Sequence, residues 1–372
     1  MGTITRGLAN SITTGGKVVS TSLSGTIQAS NVNNESLDSV TAFDSSLGDF
    51  VESTASDVSA GPTTKGQLFY NTTDGVLKGV RLQAAAWASA PTINTGRYLL
   101  VGVGATTNST IVFGGVTNPG SSYRAQTESY DGTSWSELND MNTGRFLPAK
   151  SIGTSAAALA AGGYLGTTVA NSEEWDGSSW SNVTSMPAAN RNQAGFGTQT
   201  AGVVAGGQGP AIWANVYHYD GSSWTSATSL PVAKEQMSGC GTQTAGLVVS
   251  GRPPSETTVQ TVEEYDGSSW TAGGTTLVAQ NANINAGSQT DAYMFTGYNG
   301  SNPIANTSNY DGTSWTANVN LGTAISSSGG STGQGAGFSQ IQGGGSTPGT
   351  PSSTVSQEFT AATEAVKTIT AS

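Results

Sequence analysis

Short apolar runs that close on a pair of small residues recur along most of the chain, and they recur at a steady interval. The runs are Ile111–Gly115, Ala157–Gly163, Gly202–Gly207, Gly246–Gly251 and Ala292–Gly297, with a weaker sixth ending at Gly343–Gly345. Downstream of the first five stands Tyr/Trp-Asp-Gly-Ser/Thr-Ser-Trp, at Tyr130–Trp135, Trp175–Trp180, Tyr219–Trp224, Tyr265–Trp270 and Tyr310–Trp315. Successive tryptophans of these hexapeptides are 45, 44, 46 and 45 residues apart. Trp87 precedes Trp135 by 48 residues and lacks the Asp-Gly partner, while Glu358-Phe359 stands where a sixth hexapeptide would begin. A period of this length marks one supersecondary unit, and the chain holds six.

Each unit reads as four short strands. In the third, an inner strand (Arg191 to Gly197) follows a Met186-Pro187 turn, and Thr-Gln-Thr leads to a second strand (Ala201 to Ala205) that stops at Gly206-Gly207. A loop then reaches the third strand (Val216 to Tyr219), and Asp220-Gly221 turns the chain into a fourth at Trp224. That turn sets Tyr219 opposite Trp224, a cross-strand pair worth roughly 0.2–1 kcal/mol. One such sheet cannot bury both faces, whereas six stacked radially bury one another's. The expectation is an all-β, six-bladed β-propeller over residues 81–372. The spacing, the terminal Gly-Gly and the later Tyr and Trp resemble the kelch repeat over residues 81–360. Ser250-Gly251 and Thr296-Gly297 depart from it in their first residue, and the last unit lacks its Trp. The strand carrying Trp87, Gln83 to Ala90, is expected to complete that last blade, with the alternating segment Ala365 to Thr370 as the other candidate.

Residues 1–64 differ in kind. They are rich in Ser, Thr, Asn and Gly and contain no Trp or Tyr. Leu37, Val40, Phe43 and Leu47 fall at helical spacing within Ser36–Phe50. Such a segment does not bury enough to fold alone, so it is expected to be an extended anchoring arm that orders against a partner. Residues 65–80 form a connecting hairpin: Gly66-Gln-Leu-Phe-Tyr-Asn-Thr-Thr-Asp-Gly-Val-Leu-Lys-Gly79 alternates on both sides of an Asn-Thr-Thr-Asp-Gly turn. This segment resembles one recurrent in tail-fibre and other appendage proteins of tailed bacteriophages. With the near-identical frames Gly197–Gly202 and Gly241–Gly246, the whole chain resembles kelch-containing phage virion proteins.

The resemblance implies a tail fibre or spike in the virion, assembled in the host cytoplasm and present as a homo-oligomer or in many copies. Residues 1–64 would hold other virion proteins, and the propeller would face a host-surface glycan or receptor. A head or tail decoration protein contacting neighbouring subunits is the alternative, and a glycan-active enzyme a third.

Composition narrows the chemistry. The formal charge is −11 and only 10% of residues are charged, a surface that repels phosphate backbones and argues against nucleic-acid binding. No stretch is apolar enough to insert into a membrane, and Met1–Ile12 lacks the apolar core of a signal peptide. The single cysteine, Cys240, forms no intrachain disulfide. With one histidine, His218, the inventory falls short of a galactose-oxidase-type copper site and of a Ser/His/Asp triad with a nucleophile elbow. Neighbours in a strand point to opposite faces, so Glu173-Glu174 and Glu263-Glu264 are not acid–base dyads. Asp131, Asp176, Asp220, Asp266 and Asp311 are expected to cap their own turns rather than hold calcium. Neither catalysis, nor a cofactor, nor a metal is expected.

Two groups of residues remain as ligand-binding candidates. Arg97, Arg145, Arg191 and Lys234 each open an inner strand, with Gln280 and Ala324 at that place in the last two units. Read functionally, they form a basic arc near the channel mouth for an anion or acidic glycan. Read structurally, they pair with Glu128, with Glu173 or Glu174, and with Glu263 or Glu264. The second group lies in the variable loops between second and third strands: Val116–Arg124, Tyr164–Ala170, Gln208–Asn215, Arg252–Val259, Tyr298–Ala305 and Ser346–Thr354. Their aromatics, Tyr123, Tyr164, Trp213 and Tyr298, suit stacking on sugar rings or burial against a neighbouring subunit.

Overall fold

The computed structural model describes residues 52–54, 57, 68–71, 73, 76–118, 122–146, 148–149, 151–255, 257–330 and 339–368. Ser36–Phe50, and the expected arm up to residue 51, lie outside the described residues. Among the described residues every long regular element is a strand. The chain divides into one unit of Ala85–Ala361 and a second built from the segments before and after it.

The larger unit is a β-propeller of six blades. Blade 1 comprises Val101–Thr106, Ser109–Phe113, Thr127–Tyr130 and Trp135–Glu137; blade 2 comprises Ala158–Ala161, Ser172–Trp175 and Trp180–Val183. Blade 3 runs Ala194–Thr198, Ala201–Ala205, Val216–Tyr219, Trp224–Ala227, and blade 4 runs Ser238–Thr242, Ala245–Val249, Val262–Tyr265, Trp270–Ala272. Blade 5 holds Ile284–Gly287, Ala292–Phe295, Thr307–Tyr310 and Trp315–Ala317. Blade 6 combines Gly329–Gly330, Ser339–Gly343 and Ser356–Thr360 with Ala86–Ala90 from the other end of the chain.

Ala86–Ala90 therefore closes the ring as the outermost strand of blade 6, in the register Phe359↔Trp87. Trp87 occupies the place of the missing Trp, its ring 5.2 Å from Phe359. The same aromatic pairing recurs within the blades, at 4.8 Å for Tyr219–Trp224 and 4.5 Å for Tyr265–Trp270. Blade 2 departs from the expected four strands. Ala149 still donates to the Ala161 carbonyl at 2.8 Å, but Pro148 brings no N–H, and Ser151 (φ 71°) breaks the extended run.

The apolar clusters lie between blades rather than within them. Phe196 and Val203 of blade 3 pack with Val248 and Tyr265 of blade 4. Cys240 and Leu247 of blade 4 meet Met294 and Trp315 of blade 5. This is the burial that a lone four-stranded sheet lacks. Inner strands of neighbouring blades approach so closely that a Cβ on Gly102 would lie 2.1 Å from the Gly330 nitrogen. Where the small pair loses its first glycine the backbone does not relax: Ser250 has φ 60° and Thr296 φ 63°, both fully buried. For β-branched Thr296 this left-handed conformation is strained.

In the second unit, Glu52–Thr54 runs parallel to Leu68–Asn71, which forms the expected hairpin with Val76–Gln83. That last strand continues past the expected division at residue 80, and Thr363–Thr368 pairs along its other edge, from Gln83 to Lys78. The returning C-terminal strand thus joins this sheet instead of closing the propeller. An otherwise bare edge gains hydrogen bonds.

Candidate functional site

Antiparallel order gives the propeller two unlike faces. Turns from first to second strand and from third to fourth share one face. Loops from second to third strand, and the links between blades, share the other.

The first face is held by repeated internal bonds. In each Asp-Gly-Ser/Thr-Ser turn the aspartate accepts from the two backbone N–H groups that follow: Asp176 Oδ1 takes those of Ser178 and Ser179, both at 2.8 Å. Asp131, Asp220, Asp266 and Asp311 do likewise. Hydroxyl and backbone donors hold Asp131 and Asp176 at about 2, below the ordinary 3.8. The glutamine of Thr-Gln-Thr staples neighbouring blades: Gln199 Nε2 donates to the Ala158 and Trp175 carbonyls at 3.0 and 2.8 Å. Gln243 and Gln289 repeat this one and two blades on.

The basic series proves to be structural. Arg97 faces Glu128 at 2.7 Å, both side chains fully buried. Arg145 pairs with equally buried Glu173, and Lys234 with Glu263 at 2.6 Å. Burial lowers the pKa of all three bases, opposed by the facing carboxylate. These side chains are sealed from any ligand, so they form no arc at a channel mouth. Arg145 Nε also caps the Gly162 carbonyl at 2.8 Å, where the second strand stops.

Arg191 does not belong to this series. Four residues after a buried apolar anchor (Ile93, Met141, Met186, Leu230) stand Arg97, Arg145, Asn190 and Lys234. Asn190 Nδ2 makes the corresponding cap, to the Gly206 carbonyl at 2.6 Å. In blade 5 the position is Gln280, capping Thr296 at 3.0 Å, and in blade 6 it is Ile325 rather than Ala324. Where the base is absent its carboxylate partner is absent too, the matching third-strand residues being Tyr217, Ser308 and Gln357.

The alternate third-strand position points across to the next blade. Tyr310 donates to Glu264 at 2.6 Å, Tyr130 to Glu358 at 2.6 Å, and Tyr265 meets His218 Nε2 at 3.0 Å. His218 thus stands in a structural bond. Glu263 and Glu264 point opposite ways, as strand geometry requires. Cys240 is sealed in the core, its thiol pushed up to about 12 by burial. Among the described residues no group of three His, Cys, Asp or Glu is placed to hold a metal ion.

The second face carries the variation. One residue beyond each cap position, the chain pairs with the residue following the small pair through reciprocal backbone hydrogen bonds. The six pairs are Tyr98–Val116, Phe146–Tyr164, Arg191–Gln208, Glu235–Arg252, Asn281–Tyr298 and Ser326–Ser346. Their backbone is constant, and no two blades carry the same pair of side chains.

On this ring Tyr123, Tyr164 and Arg191 come together. The ring of Phe146 lies 5.1 Å from Tyr164 and 5.6 Å from Tyr123, and Tyr123 lies 6.1 Å from Tyr164. The Arg191 guanidinium covers Tyr164 at 4.6 Å from the ring centre, and its Nη2 donates to Gln208 Oε1 at 2.9 Å. Tyr123 is 37% exposed; Phe146, Tyr164 and Arg191 are partly exposed. Trp213 lies elsewhere, against Gly209, where a Cβ would meet its ring at 2.4 Å. Tyr298 sits in blade 5, bonded through its backbone to Asn281. Sequence reasoning missed Phe146, although it stands one residue after Arg145, where the ring of six pairs runs.

No family model matches the chain, and a search of curated proteins returns no match.

Proposed function

We propose that this chain is a virion protein of a tailed bacteriophage, a tail fibre or spike whose propeller recognises a glycan on the host surface. Supporting the recognition role is one observation: three aromatic rings and an arginine gather on the variable face, and of the six paired positions there only Phe146–Tyr164 is aromatic on both sides. Aromatic faces take up the apolar side of sugar rings, and loops on a rigid frame are where recognition resides. The phage assignment is supported by the Gly66–Gly79 segment and its resemblance to appendage proteins. Residues 1–64 attach the chain to other virion proteins, and multiple copies in the particle present the propeller outward. No step of catalysis is assigned.

Adsorption of the purified full-length chain tests this. Binding to host cells, and competition with intact particles for them, is expected. Binding to particles stripped of the protein, with none to cells, would instead identify a decoration protein. Particles assembled with a chain lacking residues 1–64 should not carry it.

A further inference from the structure

We propose that the patch formed by Tyr123, Phe146, Tyr164 and Arg191 is a subsite for an acidic sugar, with its apolar face on the rings and its carboxylate on Arg191. The proposal rests on the glycan-recognition reading and adds to it the charge of the ligand and the residues that read it.

The six repeats act as controls for one another. At the two paired positions the other blades carry Tyr98–Val116, Arg191–Gln208, Glu235–Arg252, Asn281–Tyr298 and Ser326–Ser346. The backbone bonds form with all of these, so the frame does not require the aromatic pair Phe146–Tyr164. Tyr123, added from the preceding blade's loop, extends the apolar floor and remains 37% exposed. A floor left partly open on a protein of low hydrophobic content suits a ligand with one apolar face.

Charge sets the ligand's class. The chain has 24 acidic residues against 13 Lys and Arg, so a cation without a carboxylate is conspicuous. Arg97, Arg145, Lys234 and Arg252 each meet a glutamate within 4 Å. Among the described residues Arg191 meets none; its contacts are the neutral Gln208 amide and the Tyr164 ring. Arg124, next to Tyr123, likewise bonds a neutral partner, Thr117 Oγ1, at 3.0 Å. Stacking fixes the guanidinium in place while leaving N–H groups free. A planar fork held this way matches a carboxylate better than a hydroxyl.

The test uses the full-length chain on an array of acidic oligosaccharides (uronic, sialylated and pyruvylated), each beside its methyl-esterified or neutral counterpart. Retention of acidic members over their counterparts is expected, weakening with added salt. Arg191→Gln should remove that preference, a loss on the order of tenfold for acidic members, with neutral ones unchanged. Tyr164→Ala should weaken all members by a similar factor, and Arg191→Lys should retain part of the preference. Equal binding of both classes, or indifference to Arg191→Gln, overturns the acidic subsite but leaves glycan recognition standing. Binding to no saccharide, with none to cells, overturns both. Self-association lost on Tyr123→Ala also overturns the subsite, since the patch would then be a contact between copies. Unchanged melting curves show that the variants are folded.

Discussion

Replacing Arg145 by isoleucine should unsettle the propeller severely, and a second substitution should repair it. Arg145 is fully buried and donates to the Gly162, Thr143 and Ala160 carbonyls at 2.8, 3.0 and 3.1 Å, as well as to Glu173. Its removal leaves Glu173 charged and buried, its other oxygen still taking the Asn142 N–H at 2.7 Å. Breaking one side of a buried pair costs about 3–5 kcal/mol. At about 2 °C per kcal/mol for a unit of this size, that is a fall in Tm of roughly 6–10 °C. Blade 6 shows the repair, because it carries Ile325 and Gln357 at these two places. Arg145→Ile with Glu173→Gln should recover all but about 1–2 kcal/mol, since a buried pair replaced on both sides is often close to neutral. Thermal melts of the four members of the cycle decide the matter. A double variant as unstable as the sum of the singles, or a single costing less than about 1 kcal/mol, would refute the coupling between base and acid.

Thr296→Gly should stabilise the propeller by about 1–2 kcal/mol, because it releases φ 63° and removes a buried hydroxyl with no hydrogen-bond partner; a lower melting temperature would contradict the strain. Trp87→Ala removes the indole bond to Thr307 at 3.0 Å and ring contacts with Phe295 and Phe359, and should cost about 2–4 kcal/mol. Truncation after Ala361 should by contrast leave the propeller's melting transition in place, since Thr363–Thr368 belongs to the other sheet. The turn aspartates set the acid limb of stability. Asp131 and Asp176 have folded pKa values of about 2 against 3.8, so their contribution is complete above about pH 4 and lost as pH falls toward 2. Asparagine at all five turns keeps the acceptor without the titration and should flatten that limb in an acid denaturation series.

The propeller was legible because its marks repeat, and each mark proves to have a mechanical task. The small pair ends a strand at positive φ, Gln199 staples blades, and the Tyr–Trp pairs face each other across the hairpin. Trp87 was legible as the closing strand because one unit lacked a Trp and one Trp lacked a unit. The pairing of Thr363–Thr368 with Val76–Gln83 was not, because contacts so distant in sequence leave no local signature. Arg191 was misplaced by one residue for a different reason. Charge alone groups it with the lysine and arginines, whereas the register follows the buried anchor four residues earlier. The position four residues after Met186 is Asn190, which caps a carbonyl as Arg145 and Gln280 do, whereas Arg97 and Lys234 meet a glutamate there.

The one-residue offset between Asn190 and Arg191 separates two roles. A base at the cap position points into the blade and must find a carboxylate there, which is why Arg97, Arg145 and Lys234 are lost to any ligand. One step further along an extended strand the side chain points the other way, and Arg191 emerges over Tyr164 instead. Alternation thus divides two adjacent residues between stability and recognition. The same rule carries Phe146 to the surface beside buried Arg145. Substitutions at Arg145 should therefore change melting and leave binding alone, and those at Arg191 should do the reverse.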